Sequence, residues 1–130
     1  MLTVEQVEAV LRQFTPTQEK VDLSVKIAIK VARPSRVILF GSWARGEARW
    51  DSDLDMAILM PDSDEPRLDE VRRALRHELD RVSMTIDLVM MTEGIAHQFG
   101  DSINSIYYRI LKEGKVAYEQ SAYAGADTPH

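Results

Sequence analysis

Residues 41–55 read Gly-Ser-Trp-Ala-Arg-Gly-Glu-Ala-Arg-Trp-Asp-Ser-Asp-Leu-Asp. Gly41 lets the backbone turn sharply and approach a phosphate without a β-carbon in the way, and Ser42 adds a hydroxyl donor beside the free amides. Asp53 and Asp55 follow as two carboxylates separated by one residue. The stretch therefore predicts a phosphate-binding loop next to a carboxylate pair suited to a divalent cation.

Apolar runs on both sides of this stretch predict the strands that hold it. Residues 37–40, Val-Ile-Leu-Phe, form a short run rich in β-branched side chains, which is typical of a buried central strand. Residues 53–60 predict a second strand that ends at a proline. Its period of two places Asp53 and Asp55 on the same face, so both carboxylates point the same way.

A third aspartate lies in a later apolar run. Residues 85–91 read Thr-Ile-Asp-Leu-Val-Met-Met and predict a third strand with Asp87 between an isoleucine and a leucine. An aspartate in such a strand is costly unless it is paired or bound to a metal. If this strand neighbours the second, Asp87 completes a cluster of three carboxylates with Asp53 and Asp55.

The rest of the chain predicts helices that alternate with these strands. Apolar residues at helical spacing indicate helices over residues 4–14, 16–32, 66–81 and 101–114. Thr15 is expected to cap the second helix with Pro16 at its first position, and Asp101-Ser102 is expected to cap the last. A short closing strand is expected over residues 115–119. This order predicts one α/β domain over residues 1–119.

The composition limits the possible functions. The 130 residues are 45% hydrophobic, enough for the core of one domain. With 16 Lys and Arg against 21 Asp and Glu the net charge is -5, so direct binding of nucleic acid is not expected. Cysteine is absent, which excludes disulfides and thiolate ligands, and we expect any metal to be bound by oxygen.

The start of the chain and its hydropathy predict neither a secretion signal nor a membrane span. The N-terminus lacks the basic start and apolar stretch of a signal peptide, and no apolar run is long enough to span a membrane. We therefore expect a soluble cytoplasmic protein. The small polar residues at the C-terminus predict a disordered tail over residues 120–130.

Three carboxylates beside a phosphate loop are suited to nucleotide chemistry. Mg²⁺ prefers oxygen ligands and commonly combines one or two protein carboxylates with phosphate oxygens of a substrate. In a two-metal arrangement, Asp53 and Asp55 would bridge both ions, and Asp87 would serve the ion at the acceptor hydroxyl or act as its base. The predicted reaction is in-line transfer of a nucleoside monophosphate.

Other residues near the motif have weaker signals. Arg45 is a candidate for contact with the triphosphate, whereas Arg49 is interpreted as a solvated charge. Trp43 and Trp50 either stack on a base or partner, or pack against the underside of the loop. The arginines of residues 67–81 alternate with acids, which favours a solvated helix face over a binding surface.

These motifs resemble those of the DNA polymerase β-type nucleotidyltransferases. The resemblance is carried by Gly41-Ser42, Asp53-Leu54-Asp55 and Asp87. Gly-Ser-x-Ala-Arg-Gly followed by Ser-Asp-Leu-Asp is most similar to the minimal nucleotidyltransferases, or MNT proteins. The resemblance implies a mixed β-sheet packed by helices on one side, a nucleoside triphosphate donor, most simply ATP, and Mg²⁺ as cofactor.

The resemblance also implies a protein partner. Many MNT proteins are encoded beside a HEPN-domain toxin and act as antitoxins, some by transferring AMP to a tyrosine of the toxin. The chain lacks the second domain that binds the acceptor in larger relatives, so we expect a hetero-oligomer. Three alternatives stay open: an antitoxin that works by binding its HEPN partner, a transferase for a small-molecule acceptor, and a nucleotide sensor without turnover.

Overall fold

The computed structural model describes residues 1–121. The tail that we expect to be disordered, residues 120–130, lies outside the described residues apart from its first two positions, and stays a prediction. Within the described residues, no helix has the length and hydropathy needed to cross a membrane.

Four strands form one mixed sheet at the centre of the fold. They are β1 (Arg36–Phe40), β2 (Leu54–Met60), β3 (Ile86–Thr92) and β4 (Lys115–Glu119). Their spatial order is β3-β2-β1-β4, with β1 antiparallel to both β2 and β4, and β2 parallel to β3. All four expected strands are present, and each bound lies within one residue of its prediction.

The helices are α1 (Val4–Arg12), α2 (Gln18–Ala32), α3 (Gly41–Ala44), α4 (Leu68–Leu79), α5 (Glu93–Phe99) and α6 (Ile106–Tyr108). A 3₁₀ turn, Asp62–Arg67, precedes α4, and a π-helical turn, Arg109–Glu113, continues α6. The long helices α2 and α4 pack on one face of the sheet over the larger core, and the opposite face carries a smaller cluster with α5 and the π-helical turn. The predicted mixed α/β fold is confirmed.

Strand β2 shows how the two faces are assigned. Leu54, Met56 and Ile58 lie in the larger core beneath α2 and α4, whereas Ala57 and Leu59 lie in the smaller cluster. All five are fully buried, with 0% of their surface exposed. The period of two therefore continues back to Asp55, which lies on the face of Ala57 and Leu59.

The second helix begins later than the sequence predicts. Thr17, and not Thr15, is its cap, because the Thr17 hydroxyl accepts a hydrogen bond from the Lys20 amide at 3.2 Å. The Thr15 carbonyl instead accepts from Lys20 Nζ at 3.0 Å, and Pro16 lies buried before the helix. The Lys20 side chain thus binds the segment just before the helix, which agrees with a start of α2 after Thr17.

The expected helix 101–114 is wrong at its beginning. Ser105 is the cap, accepting from the Tyr108 amide at 3.1 Å, and Ile103 is 72% exposed in the turn before it. Helix α5 has no counterpart in the sequence prediction. It is short and is started by Thr92, whose hydroxyl accepts from the Ile95 amide at 3.3 Å, so its signal is local capping rather than a long apolar stripe.

A buried ion pair closes the end of the sheet away from residues 41–55. Arg36 donates to both carboxylate oxygens of Glu93, at 2.7 and 3.0 Å, and the Ser35 hydroxyl donates to Glu93 Oε2 at 2.6 Å. The Arg36 and Glu93 side chains are only 12% and 9% exposed. A carboxylate that satisfies several donors in so dry a place stabilises the junction of β1 with α5.

Removing this carboxylate is expected to destabilise the protein strongly. Glu93→Ala should lower the free energy of unfolding by about 3 kcal/mol, because the buried guanidinium of Arg36 loses its carboxylate, while the Ser35 hydroxyl can still donate to the Leu59 carbonyl at 2.8 Å. Urea denaturation measures the change. The control is Glu78→Ala, which removes a surface pair with Arg81 at 3.4 Å and should cost less than about 1 kcal/mol. Equal effects of the two variants would contradict this role.

Candidate active site

The turn after β1 brings the glycine-serine pair against the carboxylates. Gly41 has a φ of 74°, in the left-handed region that favours glycine. A β-carbon at this position would run into the carboxylate of Asp55. The glycine is therefore required twice, once by its backbone conformation and once by the close approach of Asp55. The amides of the first turn of α3 have no partner inside that helix and are available to an anion.

The register of the sheet sets Asp55 between the turn and a second carboxylate. Asp55 pairs with Phe40 on β1, directly before Gly41, and with Asp87 on β3. Asp55 and Asp87 therefore lie side by side on neighbouring parallel strands, as the sequence predicts. Asp53 lies one residue before β2 begins, and its side chain is exposed.

The pKa of Asp55 is shifted by its burial and by the charged side chains around it. Burial raises the pKa of the Asp55 carboxyl above its ordinary value, and the charges of Asp87 and Asp53 raise it further. A hydrogen bond with the Asp87 side chain acts in the same direction, and only the positive charge of Arg109 opposes them. The ionised form of Asp55 is thus disfavoured, because the positive charge of Arg109 does not balance the burial and the two neighbouring carboxylates.

Such a group fits a hard divalent cation. The donors are all oxygen, and the positive charge of an ion such as Mg²⁺ would offset the negative charges that raise the pKa of Asp55. Within residues 1–121, no three Asp, Glu or His side chains converge closely enough to enclose an ion by themselves. The Asp55–Asp87 pair is therefore an open half-site, and phosphate oxygens of a substrate would be its remaining ligands.

The raised pKa of Asp55 predicts how the stability of the protein depends on pH. The folded state holds this proton to higher pH than the unfolded chain, so metal-free wild type loses stability as pH rises from the ordinary aspartate pKa through the raised value. Asp55→Asn cannot ionise there, so it should melt above wild type at neutral pH, and the difference should shrink as the pH falls toward the ordinary pKa of aspartate. Thermal melts in EDTA across this range measure the difference.

The control for these melts is Asp101→Asn, because the Asp101 side chain is 94% exposed and lies away from the carboxylates. It should follow the wild-type curve at every pH. A melting difference between Asp55→Asn and wild type that stays constant with pH would contradict the electrostatic origin of the effect.

The polar residues of the loop take defined positions. Ser42 lies half-buried in the first turn of α3. Arg45 donates from Nε to Glu47 at 3.1 Å, an exposed pair that costs little to open. Arg49 is a solvated charge 3.8 Å from Asp51, as expected. These contacts leave the binding of phosphate by Ser42 and Arg45 a prediction.

The two tryptophans of the loop differ in their surroundings. Trp43 packs against the larger core, which favours the structural reading of this residue. Trp50 is 39% exposed, and the guanidinium of Arg12 lies 5.9 Å from its ring centroid. Trp50 thus links the loop to α1.

Arg109 is a site residue that the sequence analysis missed. It is exposed on the π-helical turn, which packs on the same face of the sheet as Asp55, and its charge lowers the pKa of Asp55. No local motif marks it, since only the packing of the last helix brings it to the carboxylates. A π-helical turn at such a place is itself a feature found often at functional sites.

A glycine-led turn packed against paired carboxylates on a mixed sheet is the arrangement of a nucleotide-transferring domain. The family described as Polymerase beta, Nucleotidyltransferase matches residues 25–123. The match spans most of the chain and includes the turn and all three aspartates. The chain therefore belongs to the polymerase beta nucleotidyltransferase family.

Solved structures of similar shape are remote in sequence. A candidate nucleotidyltransferase from Sulfolobus solfataricus is 16% identical, with a TM-score of 0.46 over 81% of this chain and 91% of that one. A toxin-antitoxin structure with AMP-PNP is 21% identical, with a TM-score of 0.45 over 85% of this chain and 80% of that one. A comparison with curated proteins found no significant match. The family assignment rests on residues 25–123 alone.

Proposed function

We propose that the protein transfers AMP from ATP to a hydroxyl group of a partner protein in the cytoplasm. The observation that carries the proposal is the alignment of Asp55 with Asp87 beside the turn at Gly41. In the reaction, the acceptor oxygen bonds to the α-phosphorus, the bond from that phosphorus to the bridging oxygen breaks, and pyrophosphate leaves with that oxygen. The preference for ATP follows from the resemblance to MNT proteins.

The residues divide into a donor side and an acceptor side. Gly41 and Ser42 would hold the triphosphate through backbone amides and a hydroxyl, and Arg45 would exchange its exposed pair with Glu47 for a phosphate oxygen. Arg109 would add a second positive charge from the other side of Asp55. These groups orient the α-phosphorus for in-line attack.

Asp53, Asp55 and Asp87 would hold Mg²⁺ together with the nucleotide. When bound, the cation would lower the pKa of the acceptor hydroxyl and neutralise the charge of the leaving pyrophosphate. Asp87 is the best candidate to receive the hydroxyl proton, because β3 is an edge strand and its side chain is exposed there. An acceptor can therefore approach from the β3 side.

The acceptor that we propose is a HEPN-domain toxin, with this chain as its antitoxin. The support is the resemblance of residues 41–55 to MNT proteins, together with an exposed carboxylate site that no second domain covers within residues 1–121. A partner chain would then supply both the hydroxyl and the missing cover.

Labelling with two forms of ATP tests the proposal. The protein is incubated with the product of its neighbouring gene, Mg²⁺, and ATP carrying ³²P at either the α- or the γ-phosphorus. Label from the α-position should appear on the partner, and label from the γ-position should not. Labelling by γ-labelled ATP would indicate phosphoryl transfer, and undiminished α-labelling by Asp53→Ala/Asp55→Ala would contradict the assigned site.

The same double variant separates catalysis from binding. If AMP transfer neutralises the toxin, cells that express the toxin should survive with wild type and die with Asp53→Ala/Asp55→Ala at equal protein levels. Equal survival would show that the antitoxin acts by binding its partner, and would contradict neutralisation by AMP transfer.

A further inference from the structure

Helix α1 carries an apolar face that stays largely exposed among residues 1–121, although Leu11 and Phe14 line a cavity with Trp50. No residue of this helix is buried. The exposed fractions of the apolar side chains on and after it are 74% for Val4, 41% for Val7, 48% for Val10, 49% for Leu11 and 48% for Phe14. A nine-residue helix is marginal in water without packing. This face is therefore suited to a partner surface.

The ends of α1 show that the helix is well formed where it stands. Thr3 and Gln6 form a reciprocal capping box, with hydrogen bonds of 2.8 and 3.1 Å. At the other end, Arg12 lies over Trp50. The family match begins at residue 25, so α1 lies outside the matched residues.

A groove of complementary character lies between α2 and α4. It encloses a cavity of about 720 Å³, lined by Ile27, Lys30, Val31, Arg73, Ala74, His77 and Glu78. Isoleucine and valine form its apolar part, and Lys30 and Arg73 place positive charges at the surface. An adjoining cavity of about 400 Å³ adds the side chains of Arg72 and Arg76. The groove therefore combines an apolar lining with a rim in which basic side chains outnumber the acids Glu78 and Asp80.

The acidic residues of α1 match this rim. Glu8 lies one helical turn from both Val4 and Leu11, at the border of the apolar face, and Glu5 lies further round on the same side. The apolar face of α1, with Glu8 at its border, is therefore complementary in polarity and charge to the α2–α4 groove, which has an apolar lining and Lys30 at its edge. Both surfaces belong to the same chain.

We propose that α1 of one molecule docks in the α2–α4 groove of a second copy, and that the exchange is reciprocal. The chain has a net charge of -5, so two copies repel each other except where a basic region meets an acidic one. The groove is such a region for α1. A two-fold exchange makes the contact twice, which helps reach the roughly 1,200–2,000 Å² of buried surface that stable interfaces need.

Charge reversal on each side of the contact tests the proposal. One variant is Glu5→Lys/Glu8→Lys, and the other is Lys30→Glu/Arg73→Glu; all four side chains are exposed, so circular dichroism should show unchanged folding. Sedimentation equilibrium should find wild type as a dimer. Each variant alone should have a dissociation constant raised about tenfold or more, because like charges meet at both contacts.

An equimolar mixture of the two variants gives the sharpest result. In the mixed dimer, the basic α1 of the first variant meets the acidic groove of the second, and the acidic α1 of the second meets the native groove of the first. Dimerisation should therefore return close to the wild-type dissociation constant.

Several outcomes would overturn the exchange. One is wild type that stays monomeric at 100 µM, including the case in which it binds only the neighbouring gene's product. Another is a dimer lost on reversal in α1 but kept on reversal in the groove, which would indicate pairing of α1 with itself. A mixture that fails to dimerise while both variants are folded would also overturn it.

Discussion

Asp55→Asn is expected to reduce nucleotidyl transfer by about 10³-fold or more. Asp55 is the carboxylate that the sheet register sets between the Gly41 turn and Asp87. Its replacement removes a negative ligand from the proposed cation site, and loss of metal-assisted charge stabilisation costs several kcal/mol of the activation barrier. The measurement is the initial rate of α-label transfer to the partner protein at saturating ATP and Mg²⁺.

The matched control is Asp51→Asn. Asp51 lies in the same loop and forms an exposed pair with the solvated Arg49, so its replacement should change the rate less than about threefold. If Asp55→Asn keeps more than a tenth of the wild-type rate, or if Asp51→Asn is equally impaired, the site is assigned to the wrong carboxylates. The Asp55 variant should also be the more stable protein in EDTA, which excludes misfolding as the cause of its loss.

Gly41→Ala is expected to lower the same rate by about 10²-fold. The added β-carbon would collide with the Asp55 carboxylate, and φ at Gly41 is 74°. The carboxylate must then move or the turn must open, and a displacement of about 1 Å at a reacting centre costs about 10²-fold. The stability cost of the left-handed conformation alone is about 1 kcal/mol.

Gly46→Ala separates the two causes. Gly46 has a φ of 73°, almost equal to that of Gly41, yet a β-carbon there would meet no atom within 4 Å. Its replacement should destabilise the protein by about 1 kcal/mol and leave the rate within a few-fold of wild type. Equal losses of activity in the two glycine variants would show that backbone strain, and not contact with Asp55, sets the geometry of the turn.

The sequence was sufficient for the strands because their signals are strong and local. β1 and β2 are apolar runs with clear ends, and period two correctly placed Asp55 on the face of Ala57 and Leu59. The neighbouring position of Asp87 required the further assumption that β3 pairs with β2. The structure confirms this pairing with Asp55 and Asp87 in register.

The helix predictions are wrong where individual side-chain contacts decide local structure. Thr15 and Thr17 are both good caps, and the Lys20 side chain, bound to two carbonyls before the helix, favours Thr17. Helix α5 depends on Thr92 as a cap and on Glu93, whose carboxylate is bound far away in sequence by Ser35. Neither contact leaves a periodic pattern that a sequence could reveal.

The residues of the candidate site likewise divide into those with a local sequence signal and those brought in by distant contacts. The donor side is compact in sequence, because the glycine turn and two carboxylates fall within residues 41–55. Arg109 reaches Asp55 only through the packing of the last helix and has no motif of its own. The sequence predicts α1 as an amphipathic helix, and no residue of α1 is buried in the structure. Amphipathicity alone does not say which molecule covers its apolar stripe.

Calorimetric titration with a non-hydrolysable ATP analogue tests the central claim most directly, because it needs no acceptor. With Mg²⁺, wild type should bind one analogue per chain, and EDTA or Asp55→Asn should weaken binding at least about tenfold. Asp51→Asn should bind as wild type does. Binding of equal strength with and without a divalent cation, or undiminished binding by Asp55→Asn, would contradict a carboxylate-held metal–nucleotide site at this turn.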